Sequence, residues 1–472
     1  MAGFLTYDLM APLMFAGLVL FLIIGFPVAF SLVACGLSFA ILGIELGFFQ
    51  PAFLQGLPPR VFEILSNELL LAIPFFTLMG AILERSGLAE DLLEGMGQLF
   101  GALPGGLGYA VILVGALLGA ITGTVAASVL AMGMIAMPAM LRTGYDSRYA
   151  TGVVAASGTI TQVIPPSLVL IVLAQVLGRS VGDMYLGAIG PSILQTLLFL
   201  AYTLALAVVA PRKVPPLPEE ARTLRGSSLA WTILRAILPS LGLMFLVLGT
   251  IILGLATPTE AGAMGTVGAM LLAAANRRLT PALLWQGMAT TMQITAMVVF
   301  ILIGATVFSL VFAGVEGGNW IEDLLSDLPG GRTGFLIFVN VFIFLLAFFL
   351  DFFEIAFIIL PLLIPTAKAL GIDLVWFGVM VCVNMQTAFM HPPFGFALFY
   401  VRSVTPASVL TRDIYLGAIP FLLLQLVLVA IVVAWPESVT AFIPGGTGID
   451  PATVTIDIPL PPAAEDIPLR FD

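Results

Sequence analysis

Residues 161–171 read TQVIPPSLVLI and residues 388–399 read AFMHPPFGFALF. Each sets two adjacent prolines inside a long apolar run. A helix interior rejects such a pair, because each proline removes a backbone donor and its ring clashes with the preceding turn. Any helix entering Pro165-Pro166 or Pro392-Pro393 must therefore break there. Whether such a break is a simple kink or a built feature depends on the chain around it.

That chain belongs in lipid. Of 472 residues, 60% are hydrophobic and 9% charged, with a mean hydropathy of +1.14, whereas soluble domains carry about 25% charged residues. Leu9 to Ile44 holds no charged side chain; a span takes roughly 20 apolar residues, so this run predicts two helices turning near Gly25. The expectation is an all-α polytopic protein of the lipid bilayer. The amino terminus lacks a basic region, so residue 11 onward reads as a retained span and not a cleaved signal. Cys35 and Cys382 lie in apolar segments and read as packing residues. The two lysines, Lys213 and Lys368, end no GxxxxGK[ST] loop, so an ion gradient or another subunit must power any transport. The single histidine excludes a multi-histidine metal site, no nucleophile–base pair suggests an enzyme or a cofactor, and no basic patch suggests a nucleic-acid partner.

The chain also repeats itself. LPGG at Leu103–Gly106 recurs at Leu328–Gly331, PAMLRTGYD at Pro138–Asp146 matches PTAKALGID at Pro365–Asp373, the proline pairs keep that register, and DMYLGAI at Asp183–Ile189 matches DIYLGAI at Asp413–Ile419. This predicts a first repeat over 1–210, a basic cytoplasmic linker over 211–235, a second repeat over 236–435 and a flexible acidic tail over 436–472. A basic loop after one copy and an acidic tail after the other make the copies inverted, since cytoplasmic loops carry the positive excess. Inverted repeats with matching broken helices, here about 150–177 and 374–401, point to a secondary transporter; a channel would instead show a continuous polar path. The short apolar stretch 66–87, broken by Pro74, suits a re-entrant hairpin, and its counterpart is 290–315, with Gly80 aligned to Gly304.

Irregular backbone at membrane depth must be buried in protein or line a wet cavity. Carbonyls freed before each proline pair suit a hard cation such as Na⁺, and the half-helix that follows offers its amides and dipole to an anion. A plain proline kink is the competing reading. Uncharged oxygens near the breaks include Thr122, Thr124, Ser157, Thr159, Thr161 and Ser167 in the first copy, and Ser309, Asn384, Gln386 and Thr387 in the second. Each could instead satisfy its own helix. Asp351 and Glu354 interrupt an otherwise apolar stretch, where ionisable groups usually face a pathway or a partner; a loop end would accommodate them equally. Their register partners are Thr124 and Ala127. His391, directly before Pro392, is a substrate or proton contact or merely the start of a half-helix.

With LLAIPFFTLMGAILERSG, the ITGT-to-GYD run, AASGTITQVIPPS, LGLATPTEAGAMG and NMQTAFMHPPFGFALF in view, the chain resembles the large membrane subunit of the tripartite ATP-independent periplasmic (TRAP) transporters over nearly its whole length. The resemblance implies an elevator-type transporter of the ion-transporter-superfamily fold in a bacterial or archaeal cytoplasmic membrane. It implies uptake of an organic anion with Na⁺ as coupling ion, a periplasmic substrate-binding protein and a small four-helix membrane subunit. By motif match it places ion binding around Thr122, Thr124, Ser309, Asp351 and the segments before both proline pairs. ITGTVAAS stands where many relatives carry an ISGSA-type sequence, and HPPFG where TPPVG is more frequent. The alternative is an autonomous Na⁺-coupled anion transporter needing no binding protein.

Overall fold

The computed structural model describes residues 6–444 apart from 123, 124, 225, 327 and 349, and among the described residues every regular element is helical. The first copy contains α1 (Tyr7–Ile24), α2 (Val28–Glu45), α3 (Leu57–Leu65), α4 (Ala72–Arg85), α5 (Leu88–Phe100), α6 (Gly106–Thr122), α7 (Val125–Thr143), α8 (Ser147–Thr159), α9 (Leu168–Leu177) and α10 (Val181–Val209). The second contains α11 (Gly226–Ile252), α12 (Pro258–Ala275), α13 (Pro281–Gly314), α14 (Gly317–Ser326), α15 (Gly331–Leu346), α16 (Phe352–Ala369), α17 (Leu374–Thr387), α18 (Phe396–Val404) and α19 (Thr411–Ala434). Seven of the described helices are long and apolar enough to cross a membrane, or eight if the bent α3–α4 pair counts as one span. The order is the same in both copies, except that one long helix, α13, stands where the first copy has α3 and α4, bent by 46° at their junction.

The turns differ from the sequence reading. Residues 66–87 do not fold back: α4 is a single helix. Pro74 falls in its first turn, where amides lack intrahelical partners in any case. Residues 290–315 are the second half of the unbroken α13. Gly304 is a packing glycine there, since a Cβ on it would lie 2.6 Å from the Ala29 carbonyl oxygen of α2. The hairpins are α6–α7, which pack on each other, and α15–α16, where Phe338 and Phe342 share a cavity with Ile359 and Leu363; Val125 and Phe352 begin their second arms. The linker is also shorter than 211–235, because α11 begins at Gly226. Its first part is pinned by hydrogen bonds from the Gly105 amide to the Val214 carbonyl and from the Asp146 amide to the Lys213 carbonyl. Of the tail, Glu437–Thr440 forms one short helical turn, and residues 445–472 lie outside the described residues.

Two packing arrangements recur across the copies. The helix α2 packs on α13 as α4 packs on α12, and α4 also meets α13, so the four form one interlocked group. Elsewhere α8 crosses α19 so closely that a Cβ on Gly152 would lie 2.1 Å from the Gly417 carbonyl oxygen. The equivalent crossing of α10 and α17 brings Gly187 against Val375 and Val379.

Candidate functional site

Asp146 and Asp373 start α8 and α17 alike, each accepting backbone N–H bonds through its carboxylate as an N-cap. Both helices are buried over nearly their whole length, tighten into one 3₁₀ turn (Ile160–Gln162, Ala388–Met390), and stop. Both proline–proline bonds, Pro165-Pro166 and Pro392-Pro393, are cis. The chain resumes as α9 and α18. Ser167 caps α9: its hydroxyl donates to the Gln162 carbonyl at 2.6 Å and accepts from the Val169 amide at 3.2 Å. The Gln162 carbonyl, freed by the break, is thereby taken up within the protein. Gly395 precedes α18 with no side-chain cap.

Where α8 and α17 end, they meet. The Thr159 hydroxyl donates to the Ala156 carbonyl at 2.9 Å, so its lone pairs must accept from Gln425 Nε2 at 3.0 Å and Gln386 Nε2 at 3.4 Å. Thr159 and Gln386 occupy the same position in the two copies, and residues so related can touch only beside the axis relating the copies. Gln425 has its own counterpart, Gln195, each twelve residues after the aspartate of its D-x-YLGAI motif. Gln195 is fully buried with neither end of its amide partnered, and the carbonyl oxygens of Gln386 and Gln425 also lack partners. Thr159, Gln386 and Gln425 thus form a buried polar knot of uncharged groups where the two copies meet.

Three residues along the chain from Thr159, Gln162 lines a cavity of about 290 Å³. The hairpin tips contribute Val125, Ala126, Asp351, Phe352 and Phe353; the first break contributes Gln162, Leu168 and Val169; the second contributes Phe389, Phe396 and Tyr400. Ile294 and Met297 of α13 close one side. Asp351 and Glu354 form a capping box at the start of α16: Asp351 Oδ1 accepts from the Glu354 amide at 3.0 Å, and Glu354 Oε2 accepts from the Asp351 amide at 2.9 Å. They are therefore hairpin-tip residues and not the middle of a span.

The remaining sequence candidates fall in several places. Ser157 bonds its own helix at Val154 and packs on α6, where a Cβ on Gly115 would lie 2.6 Å from Ser157 Cβ. Its counterpart Asn384 instead donates to the carbonyl and the side-chain oxygen of Asn340 on α15, at 2.8 and 2.9 Å. Thr161 bonds Gly158 and Thr387 bonds Asn384, each within its own turn. His391 sits between Phe344 and Phe348, at centroid distances of 4.1 and 4.4 Å, with both ring nitrogens unpartnered. Ser309 is not with this group: it lines a separate cavity of about 500 Å³ with Arg60, Glu63 and Asn67, at the other end of α9. The reason is that α13 is straight, so the residue expected at a hairpin tip stays on a helix face. Thr122 ends α6 and its side chain lies outside the described residues, as does all of Thr124.

The sequence reading missed Gln195, Gln425, Asn340 and Tyr400. Three carried a signal: Gln195 and Gln425 are polar residues at one repeat position in apolar helices, and Asn340 alone interrupts FLIFVNVFIFLL. Tyr400 carried none, since only the fold brings it to the cavity.

Two copies of one helical unit, each breaking at a shared cavity, with seven membrane-length helices among the described residues, are the build of a multi-pass membrane transporter. Comparison with known proteins gives the family. The chain belongs to the tripartite ATP-independent periplasmic transporters, DctM component, matched over residues 15–438, and is a large permease of the bacterial inner membrane. It is 32% identical over 410 residues to the C4-dicarboxylate TRAP transporter large permease protein DctM of Pseudomonas aeruginosa, covering 85% of this chain and 92% of that one. It is 28% identical over 418 residues to the sialic acid TRAP transporter large permease protein SiaM of Vibrio cholerae, covering 88% and 93%. The crystal structure of the Alcanivorax borkumensis YdaH transporter shares the fold, with a TM-score of 0.62 over 83% of this chain and 90% of that one, at 16% identity.

Proposed function

We propose that the chain is the large permease of a Na⁺-coupled importer of an organic anion, served by a periplasmic binding protein and a small four-helix membrane subunit. The observation that carries this reading is the convergence of both hairpin tips and both helix breaks on one cavity. Irregular backbone at membrane depth is tolerated where it lines such a space, and helix starts facing it suit an anion. Relatives named for dicarboxylate and sialic acid transport agree with an anionic substrate. Na⁺ coupling is supported by the supply of uncharged oxygens around the breaks, among them the unpartnered Oδ1 of Asn384. An elevator movement of inverted copies belongs to the same proposal, in which the interlocked α2–α4–α12–α13 group would be the frame against which the hairpins it touches through α4 and α13 move. Reconstitution of this chain with its small subunit, with and without the binding protein, under Na⁺ or K⁺ gradients tests the reading. Uptake that needs both Na⁺ and the binding protein supports it; Na⁺-driven uptake without the binding protein points to an autonomous transporter; uptake driven equally by K⁺ removes Na⁺ coupling.

A further inference from the structure

The walls of the central cavity say which anion it takes. Five of its residues are aromatic: Phe352, Phe353, Phe389, Phe396 and Tyr400. Among the described residues that line it there is no lysine, arginine or histidine, and the polar side chains are Gln162, Asp351 and the Tyr400 hydroxyl. A carboxylate entering this space finds the start of α18, whose first amides follow Gly395 and carry no side-chain cap. The start of α9 is partly occupied by Ser167, which takes the Val169 amide. A second, independent feature points to a ligand in the same place. Gln162 is 4% exposed, lines the cavity, and its side-chain oxygen has no partner. Its amide can offer either an oxygen or an NH₂ group by a half-turn.

We propose that this cavity selects a monocarboxylate with an apolar or aromatic body, seated with its carboxylate at the start of α18, beside Gln162, and its body among the phenylalanines. This rests on the anion-importer reading above and narrows it. A dicarboxylate would have to leave its second charge against aromatic walls or the Asp351 carboxyl, with no basic side chain among the described lining residues to meet it. A polyhydroxylated acid would bury most of its hydroxyls against the phenylalanine and aliphatic side chains, which cannot bond them. The apolar walls, in contrast, match an apolar body, as ligand pockets generally do.

The test is thermal unfolding of the purified full-length chain in Na⁺ with four acids at millimolar concentration: phenylacetate, 4-methylpentanoate, succinate and gluconate. The expected result is stabilisation by the first two at about tenfold lower concentration than by the last two. Asp351→Asn keeps the helix cap, because asparagine caps as well as aspartate, and should bring succinate to within about threefold of phenylacetate. Phe396→Ala should weaken phenylacetate more than succinate. Equal or better stabilisation by succinate or gluconate overturns the selectivity while leaving the anion importer standing. Stabilisation by none of the four overturns the anion seat and the proposal with it; Na⁺-driven uptake by the reconstituted transporter would then show whether the broader reading survives. An unchanged succinate response in Asp351→Asn overturns the role given to its charge.

Discussion

Thr159 is the most exacting place to test the centre of this structure. Valine has nearly its shape and lacks its oxygen, so Thr159→Val strands the Gln425 NH₂, now bonded at 3.0 Å, and loses the longer 3.4 Å contact from Gln386. A buried donor left without a partner costs about 1–3 kcal/mol, while interhelical side-chain bonds in membranes have measured at about 0.6 and at most about 1.7 kcal/mol. The 3.4 Å contact is at the edge of hydrogen bonding and adds little. The expected loss is therefore about 1–2 kcal/mol. Gln425→Leu should cost less, because the Thr159 hydroxyl keeps its proton on the Ala156 carbonyl. The double variant should cost less than the two singles added, since removing both partners strands neither. Reversible unfolding in mixed micelles, followed by tryptophan fluorescence as denaturing detergent is added, measures all four proteins. If the double variant equals the sum to within about 0.3 kcal/mol, the amide–hydroxyl bond is absent and the claim that the two copies are tied at their axis fails.

Three other outcomes follow from the packing. Gly304→Ala should lower stability by about 1–3 kcal/mol in the same unfolding assay, because its methyl would meet the Ala29 carbonyl at 2.6 Å and push α2 from α13; an unchanged midpoint would mean that the crossing is looser than described. Asp351→Ala should lose about 1 kcal/mol through the cap of α16, whereas Asp351→Asn should unfold like the parent. Removing the ion pair between Arg148 and Asp413, 2.9 Å apart with side chains 54% and 21% exposed, should change stability by no more than about 1 kcal/mol, and its loss should matter less as salt is added.

Much of the architecture could be read from residues alone, and the failures have a common cause. The proline pairs had to break helices because proline lacks a donor wherever it sits, and the recurring LPGG and D-x-YLGAI motifs had to mark two copies whatever those copies looked like. Glycine carries no such fixed meaning. Gly304 aligns with Gly80 inside an expected hairpin, yet it acts as a point of close approach on an unbroken helix, and only the neighbouring carbonyl of Ala29 shows that. The turn at Asp351 is marked in the sequence by a misplaced charge, which fits an ion or substrate site and a loop end alike; the capping box shows the loop end.

Composition, then, determined by itself that this chain lies in a membrane, repetition determined that it is double, and proline chemistry determined where it breaks. The tertiary structure alone decided where the chain turns back, that Gln386 and Gln425 meet on one threonine, and that Tyr400, Asp351 and Gln162 share a cavity. The physical reason is that lipid makes every face of a helix apolar. The periodicity that names the buried side of a soluble helix is then largely erased, and which faces meet is settled by contacts between residues hundreds of positions apart.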